Sequence, residues 1–190
     1  MKRIVIADDE PITRMDIKEI LESSGYNVVG EAVDGFDAIE LCRKNLPDLV
    51  IMDIKMPLVD GLAAAKIIND ENIAGAVLIL SAYSGSEFIE RAKEAQVISY
   101  VVKPVDEKNL IPAVEIAISK SEEMKDMKNN VKNAKDKLEA RKRIEKAKGL
   151  LMDKYKISEG EAFTRLRTLS MNKRCSMKDI ASTIIVSFDI

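Results

Sequence analysis

The sequence predicts an α/β fold over its first 118 residues, built on a five-stranded parallel sheet with helices on both faces, and helices alone thereafter. Three observations carry this expectation. Short β-branched runs recur five times, stretches of helical periodicity lie between them, and the alternation ends where the charge balance reverses.

The runs are RIVIAD (3–8), NVVGEA (27–32), DLVIMD (48–53), AVLILSA (76–82) and SYVVKP (99–104). Most are apolar almost throughout, the mark of strands covered on both faces, and strands of that kind belong to parallel sheets. The first intervening stretch, residues 11–24, repeats Ile12, Met15, Ile17, Ile20 and Leu21 near a helical period. Gly25, Gly35, Gly61 and Gly75 punctuate the joins. The helix that opens near Asp106 has no stop signal. From Met124 it carries Met127, Val131, Ala134 and Leu138 at spacings of 3, 4, 3 and 4, a short heptad seam. Two readings fit the seam: a coiled-coil dimer contact or the face of a single solvated helix.

Beyond the seam, Ile144, Ala147, Leu150, Leu151 and Tyr155 continue the helix with a shifted stripe. Ser158 followed by Glu161 reads as a capping box, with Ile157 placed to staple against Ala162 or Phe163. The helix it opens carries Phe163, Leu166 and Leu169. Ser176 caps a last helix whose buried face is Met177, Ile180, Ala181 and Ile184. Three short amphipathic segments thus predict a small bundle.

Composition narrows the chemistry. The 190 residues include no histidine, which excludes any mechanism with a histidine base, nucleophile or metal ligand. Cys42 and Cys175 lack metal-ligand spacing and read as reduced, structural thiols. The basic start MKRIVIADDE meets acids by residue 8, unlike a signal peptide, and no apolar run approaches a membrane span, so a cytoplasmic location is expected. Residues 1–118 hold 12 Lys and Arg against 21 Asp and Glu, whereas residues 119–190 hold 18 against 11. An acidic front joined to a basic back predicts two units with different partners.

In a parallel sheet the ligand site lies beyond the carboxyl ends of the strands. Strand ends here place Asp8, Asp9, Asp53, Ser81 and Lys103 at one edge. Carboxylates so crowded repel one another unless a cation lies between them, and a donor set without His or paired Cys favours Mg²⁺. A carboxylate beside a metal, a lysine and a hydroxyl is suited to accepting a phosphoryl group. Ser81 can then bond a phosphoryl oxygen, and Tyr100 can fill the space that it leaves. Taken singly, Asp53 could be a cap, Lys103 a surface charge, and Pro104 a strand stop rather than a cis residue.

IADDEPITR, DLVIMDIKMPLVDG, LSA and YVVKP, in this order and spacing, resemble the receiver domain of two-component response regulators. The resemblance covers residues 1 to 120 and implies a flavodoxin-like fold. It implies that Asp53 is the phospho-acceptor, supplied by a sensor histidine kinase. It further implies Asp9 and Asp53 as direct Mg²⁺ ligands, Asp8 acting through water, and the backbone carbonyl of Lys55 completing the protein ligands. Ser81 and Tyr100 match the switch pair, and Lys103 the phosphate-contacting lysine.

The segment RKRIEKAKGLLMDKYKISEGEAFTRLRTLSM resembles the ANTAR module, an RNA-binding antitermination domain. Arg141, Ile144, Ala147–Lys148–Gly149, Leu151–Met152, Ala162–Phe163 and Leu166–Arg167 carry the likeness, while Ser170 and Met177 stand where the pattern has Ala and Leu. The implied organisation is a receiver at 1–120, a coiled-coil linker at 121–140 and an RNA-binding three-helix domain at 138–190. The combination resembles antiterminators of the ethanolamine-utilisation type. Such a protein switches on phosphorylation, as a homodimer, and binds RNA hairpin loops. Arg141, Lys148, Gly149, Arg165, Arg167, Lys173 and Lys178 are the expected RNA contacts. A glycine inside a helix costs roughly 1 kcal/mol relative to alanine. At Gly149 either a close-approaching ligand or tight helix packing accounts for it.

Two other functions fit the sequence less well. MKDIASTI could open a helix-turn-helix, but too little chain follows for a recognition helix, which weakens a DNA-binding reading. A Mg²⁺-dependent phosphatase would want a second acid two residues after Asp53, where the chain has Lys55. No enzyme is expected beyond slow loss of the phosphoryl group.

Overall fold

A computed structural model describes residues 1–82, 91 and 94–188 of the chain. The helical stretch expected in the fourth repeat lies mostly outside the described residues. The strands are β1 (Arg3–Ala7), β2 (Asn27–Ala32), β3 (Leu49–Asp53), β4 (Val77–Ser81) and β5 (Ser99–Val102). The helices are α1 (Pro11–Ser23), α2 (Gly35–Asn45), α3 (Gly61–Asp70), α4 (Glu107–Tyr155), α5 (Glu159–Lys173) and α6 (Met177–Phe188). The five strands form one parallel sheet in the order β2-β1-β3-β4-β5. The order reverses between β1 and β3, and a site is expected at that switch point.

Strand alternation sorts the apolar residues into two layers. Val5, Ala7, Val50, Met52, Val77 and Ile79 pack toward α2 and α3, meeting Ile39, Cys42, Leu62 and Ile68. Ile4, Ile6, Leu49, Ile51, Leu78 and Leu80 face the other way, toward Ile17 and Leu21 of α1 and Leu110 and Val114 of α4. The near-continuous apolar runs are therefore explained, since each face of the sheet has its own core. Burial pushes the Cys42 thiol up to about 12, which keeps it protonated.

Local chemistry fixes the helix starts. Pro11 opens α1, Asp34 caps α2 by accepting from the Asp37 amide at 2.9 Å, and Asp60 caps α3 by accepting from the Ala63 amide at 2.8 Å. Gly61 answers a tighter demand. A Cβ there would lie 1.9 Å from the Asp53 carbonyl oxygen, while its amide donates to the Ile54 carbonyl at 2.9 Å. The β3–α3 loop can thus close directly beneath Asp53.

The chain divides into two compact units, Met1–Lys125 and Asp126–Ile190. In the second, Ala147, Leu151, Ala162, Leu166 and Ala181 are buried, with Ile144, Ile180 and Ile184 packed around them. The capping box forms as expected, with Ser158 and Glu161 each bonding the other's backbone amide. Ser176 likewise accepts from the Asp179 amide at 3.1 Å. Phe163 and Leu169, expected to help form the apolar face of α5, are 43 % and 39 % exposed. Small Ala162 is the buried neighbour of Phe163, and Leu169 only edges a groove between the helices. Among the described residues no helix is long and apolar enough to cross a membrane.

So small a core leans heavily on its one fully buried α5 leucine. Leu166→Ala is expected to cost about 2–5 kcal/mol. Calorimetry should show the melting of residues 126–190 moved well below that of the sheet domain. An unchanged pair of transitions would contradict this packing.

Candidate functional site

Parallel register brings the strand-end residues together. Asp8 follows β1, Asp53 ends β3, and Ser81 ends β4 opposite Val102, so that the Lys103 amide donates to the Ser81 carbonyl at 2.9 Å. The Lys103 ammonium then lies 2.9 Å from Asp8 Oδ2 and 3.3 Å from Asp53 Oδ2. Asp8 and Ser81 are fully buried and Asp53 nearly so, whereas Asp9 is exposed at the rim. The peptide between Lys103 and Pro104 is cis, not the plain strand stop that the residue alone allowed. Tyr100, on β5 opposite Ile79, is half exposed.

Asp8 is held from three sides. The Glu10 amide donates to its Oδ1 at 2.9 Å, Lys103 to its Oδ2, and the Arg14 guanidinium to its backbone carbonyl at 2.6 Å. Arg14 and the Glu10 amide were not among the expected site groups. Their signal lay within IADDEPITR, but strand-end logic does not extend to a helix side chain reaching back.

The electrostatics follow from burial. Desolvation pushes the Asp53 carboxyl above its ordinary range; Lys103 opposes that shift and the nearby Asp8 adds to it. At Lys103, burial works against the charge. The hydrogen bond to Asp8 and the charges of Asp53 and Asp8 outweigh burial, so its ammonium is held above the usual lysine range. Asp8, Asp9 and Asp53 each turn one oxygen within 4.8 Å of the others. Oxygens on one Mg²⁺ sit roughly 2.1 Å from it and so at most about 4.2 Å apart. Small side-chain rotations close that difference, and the all-oxygen donor set suits a hard cation.

The second unit separates the expected RNA contacts. Arg141, Arg165, Arg167 and Lys173 are exposed and Lys178 is half-buried; none of them makes an ion pair among the described residues. Lys148 is different. Its side chain is buried, with the ammonium 2.8 Å from Glu145 and 2.7 Å from Glu159. Those hydrogen bonds hold it above the usual lysine range and spend its charge on joining α4 to the start of α5. At Gly149 a Cβ would meet nothing within 4 Å. Tight packing within the chain therefore does not account for it. Met124, Met127, Val131, Ala134 and Leu138 are all exposed, as either reading of the seam requires.

Known proteins match both halves. A family model of the response regulator receiver domain matches residues 4–115, and one of the ANTAR domain matches residues 132–185. The transcriptional regulatory protein PdtaR of Mycobacterium tuberculosis is 42 % identical over 184 residues, 97 % of this chain and 89 % of that one. Chemotaxis protein CheY of Bacillus subtilis is 37 % identical over 112 residues, 59 % of this chain and 93 % of that one. Among solved structures, the signal receiver domain of the putative response regulator NarL from Mycobacterium tuberculosis superposes with a TM-score of 0.59 at 31 % identity. That match covers 62 % of this chain and 96 % of that one. Neither family is one of enzymes. The chain belongs to the response regulators, as a member that joins a receiver domain to an ANTAR domain.

Proposed function

We propose that this response regulator takes a phosphoryl group on Asp53 from a sensor histidine kinase and, so charged, binds RNA hairpin loops in nascent transcripts to prevent termination. The observation that carries the first half is the Lys103 ammonium lying 2.9 Å from Asp8 and 3.3 Å from Asp53 at the carboxyl edge of the sheet. The ANTAR match at residues 132–185 supports the second half.

Asp53 is the nucleophile because its carboxylate ends β3 beside Lys103 and stands next to the two further acids. Asp9, Asp53 and the Lys55 carbonyl would hold Mg²⁺, with Asp8 acting through water; the ion would neutralise charge on the phosphoryl oxygens. Lys103 is placed to turn from the Asp53 carboxylate to a phosphoryl oxygen on it. Ser81, on the neighbouring strand, offers a hydroxyl from the same edge. Its inward movement leaves room for Tyr100, now half exposed, to turn in.

The exposed seam from Met124 to Leu138 then serves as the contact between two copies. Two heads joined in this way bind two neighbouring loops by effective concentration, although each alone is weak. Arg141, Arg165, Arg167, Lys173 and Lys178 carry the phosphate contacts. Lys148 positions the head through Glu159 instead, and Gly149 leaves backbone open to a ligand.

At one fixed salt concentration the phosphorylated protein should prefer hairpin RNA to duplex DNA. Preference for the duplex would favour a DNA-binding regulator and overturn this function. In sedimentation runs the phosphodonor should convert monomer to dimer on RNA, and a protein that stays monomeric would remove the dimer from the mechanism.

A further inference from the structure

We infer that the groove between the end of α4, α5 and α6 receives an unpaired base of the RNA loop, stacked against Tyr155 and Arg165; this rests on the RNA-binding reading above. The groove encloses about 540 Å³, within the range of small-molecule sites. Leu151 and Ile184 line it with apolar surface, Thr168 adds a hydroxyl able to meet a base edge, and the Ser187 hydroxyl, which donates to the Ile184 carbonyl at 2.8 Å, can still accept. Its aromatic residues are the unusual part. The sequence has only four tyrosines, four phenylalanines and no tryptophan, and separates Tyr155 from Phe188 by two helices. Folding brings both to this one groove.

Each ring carries a cation. The Arg165 guanidinium lies 4.7 Å from the centre of the Tyr155 ring, and the Lys154 ammonium 4.2 Å from the centre of the Phe188 ring. Neither cation is in an ion pair among the described residues. Glu161, which feels the charge of Arg165, is committed to the capping box. An apolar recess edged by two cations that make no ion pair among the described residues fits a ligand with a flat apolar ring and a nearby phosphate. A nucleotide has that form. A second copy of the chain fits poorly, because a two-fold contact across the groove would set Arg165 and Lys154 against their own counterparts.

The test uses the full chain with Mg²⁺ and a phosphodonor, and a pool of RNA hairpins sharing one stem with randomised loops. Tyr155→Trp supplies the chain's sole tryptophan. It should bind the hairpins selected by wild type, and its emission should be quenched on binding. Tyr155→Ala should keep its helix content and bind on the order of ten-fold more weakly, the loss of one stacked base. Removing single loop bases while leaving the backbone intact should cost Tyr155→Ala less at one position than it costs wild type. Unchanged Tyr155→Trp emission with RNA bound would overturn the inference even if the alanine variant failed to fold. So would emission that changes with protein concentration in the absence of RNA, which would mark a self-association surface. If wild type selected no hairpin at all, the RNA-binding reading would fall first, and the groove's assignment with it.

Discussion

The receiver site depends on one lysine. Asp8 and Asp53 lie at the ends of adjacent strands, largely withdrawn from water, where the charge of Asp8 opposes ionisation of Asp53. Lys103 answers both, at 2.9 and 3.3 Å, from a backbone that β4 itself holds through the Ser81 carbonyl. The arrangement is poised: burial raises Asp53, Lys103 steadies it, and any dianion formed there competes for the same ammonium. A switch needs a state that one added group can rearrange, and in the proposed function that state is a single cation shared by two acids.

The parallel sheet makes this geometry reproducible. Its register sets which residues reach the carboxyl edge, and the two apolar layers hold that register fixed because a one-residue slip would drive each strand's side chains into the opposite layer, whose packing they do not fit. Gly61 lets the loop after Asp53 fold back against the strand end, at a spacing that leaves no room for a side chain. The site is accordingly built on strands and on a loop with one permitted path. Rigid support of that kind keeps catalytic and binding groups in place.

Much of this was legible in the sequence, and the reason is the strand. A strand has a fixed period and a parallel sheet has a fixed polarity, so the sequence alone places Asp8, Asp9, Asp53, Ser81 and Lys103 at one edge. Groups positioned by loops or by helix packing were not legible in this way. Arg14 reaches back to the Asp8 carbonyl from α1, and nothing in its periodicity signals this. Lys148 looked like a free cation on a basic helix, until the turn into α5 brought Glu159 to it. Tyr155 and Phe188 are far apart in the chain, and only the return of α6 brings them to one groove. Each of these depends on how a helix is set against its neighbouring strand or helix, which local sequence specifies weakly.

The central claim couples the two units: phosphoryl chemistry at Asp53 governs RNA binding by the basic helices. It is tested most directly by the hairpin-RNA affinity of wild type and Asp53→Ala, each with and without a phosphodonor and Mg²⁺. Coupling between sites of this kind is typically about 5- to 150-fold. Wild type should gain affinity within that range on adding the donor, and Asp53→Ala should not respond. Equal affinity in all four conditions, or a gain by Asp53→Ala, would contradict the account.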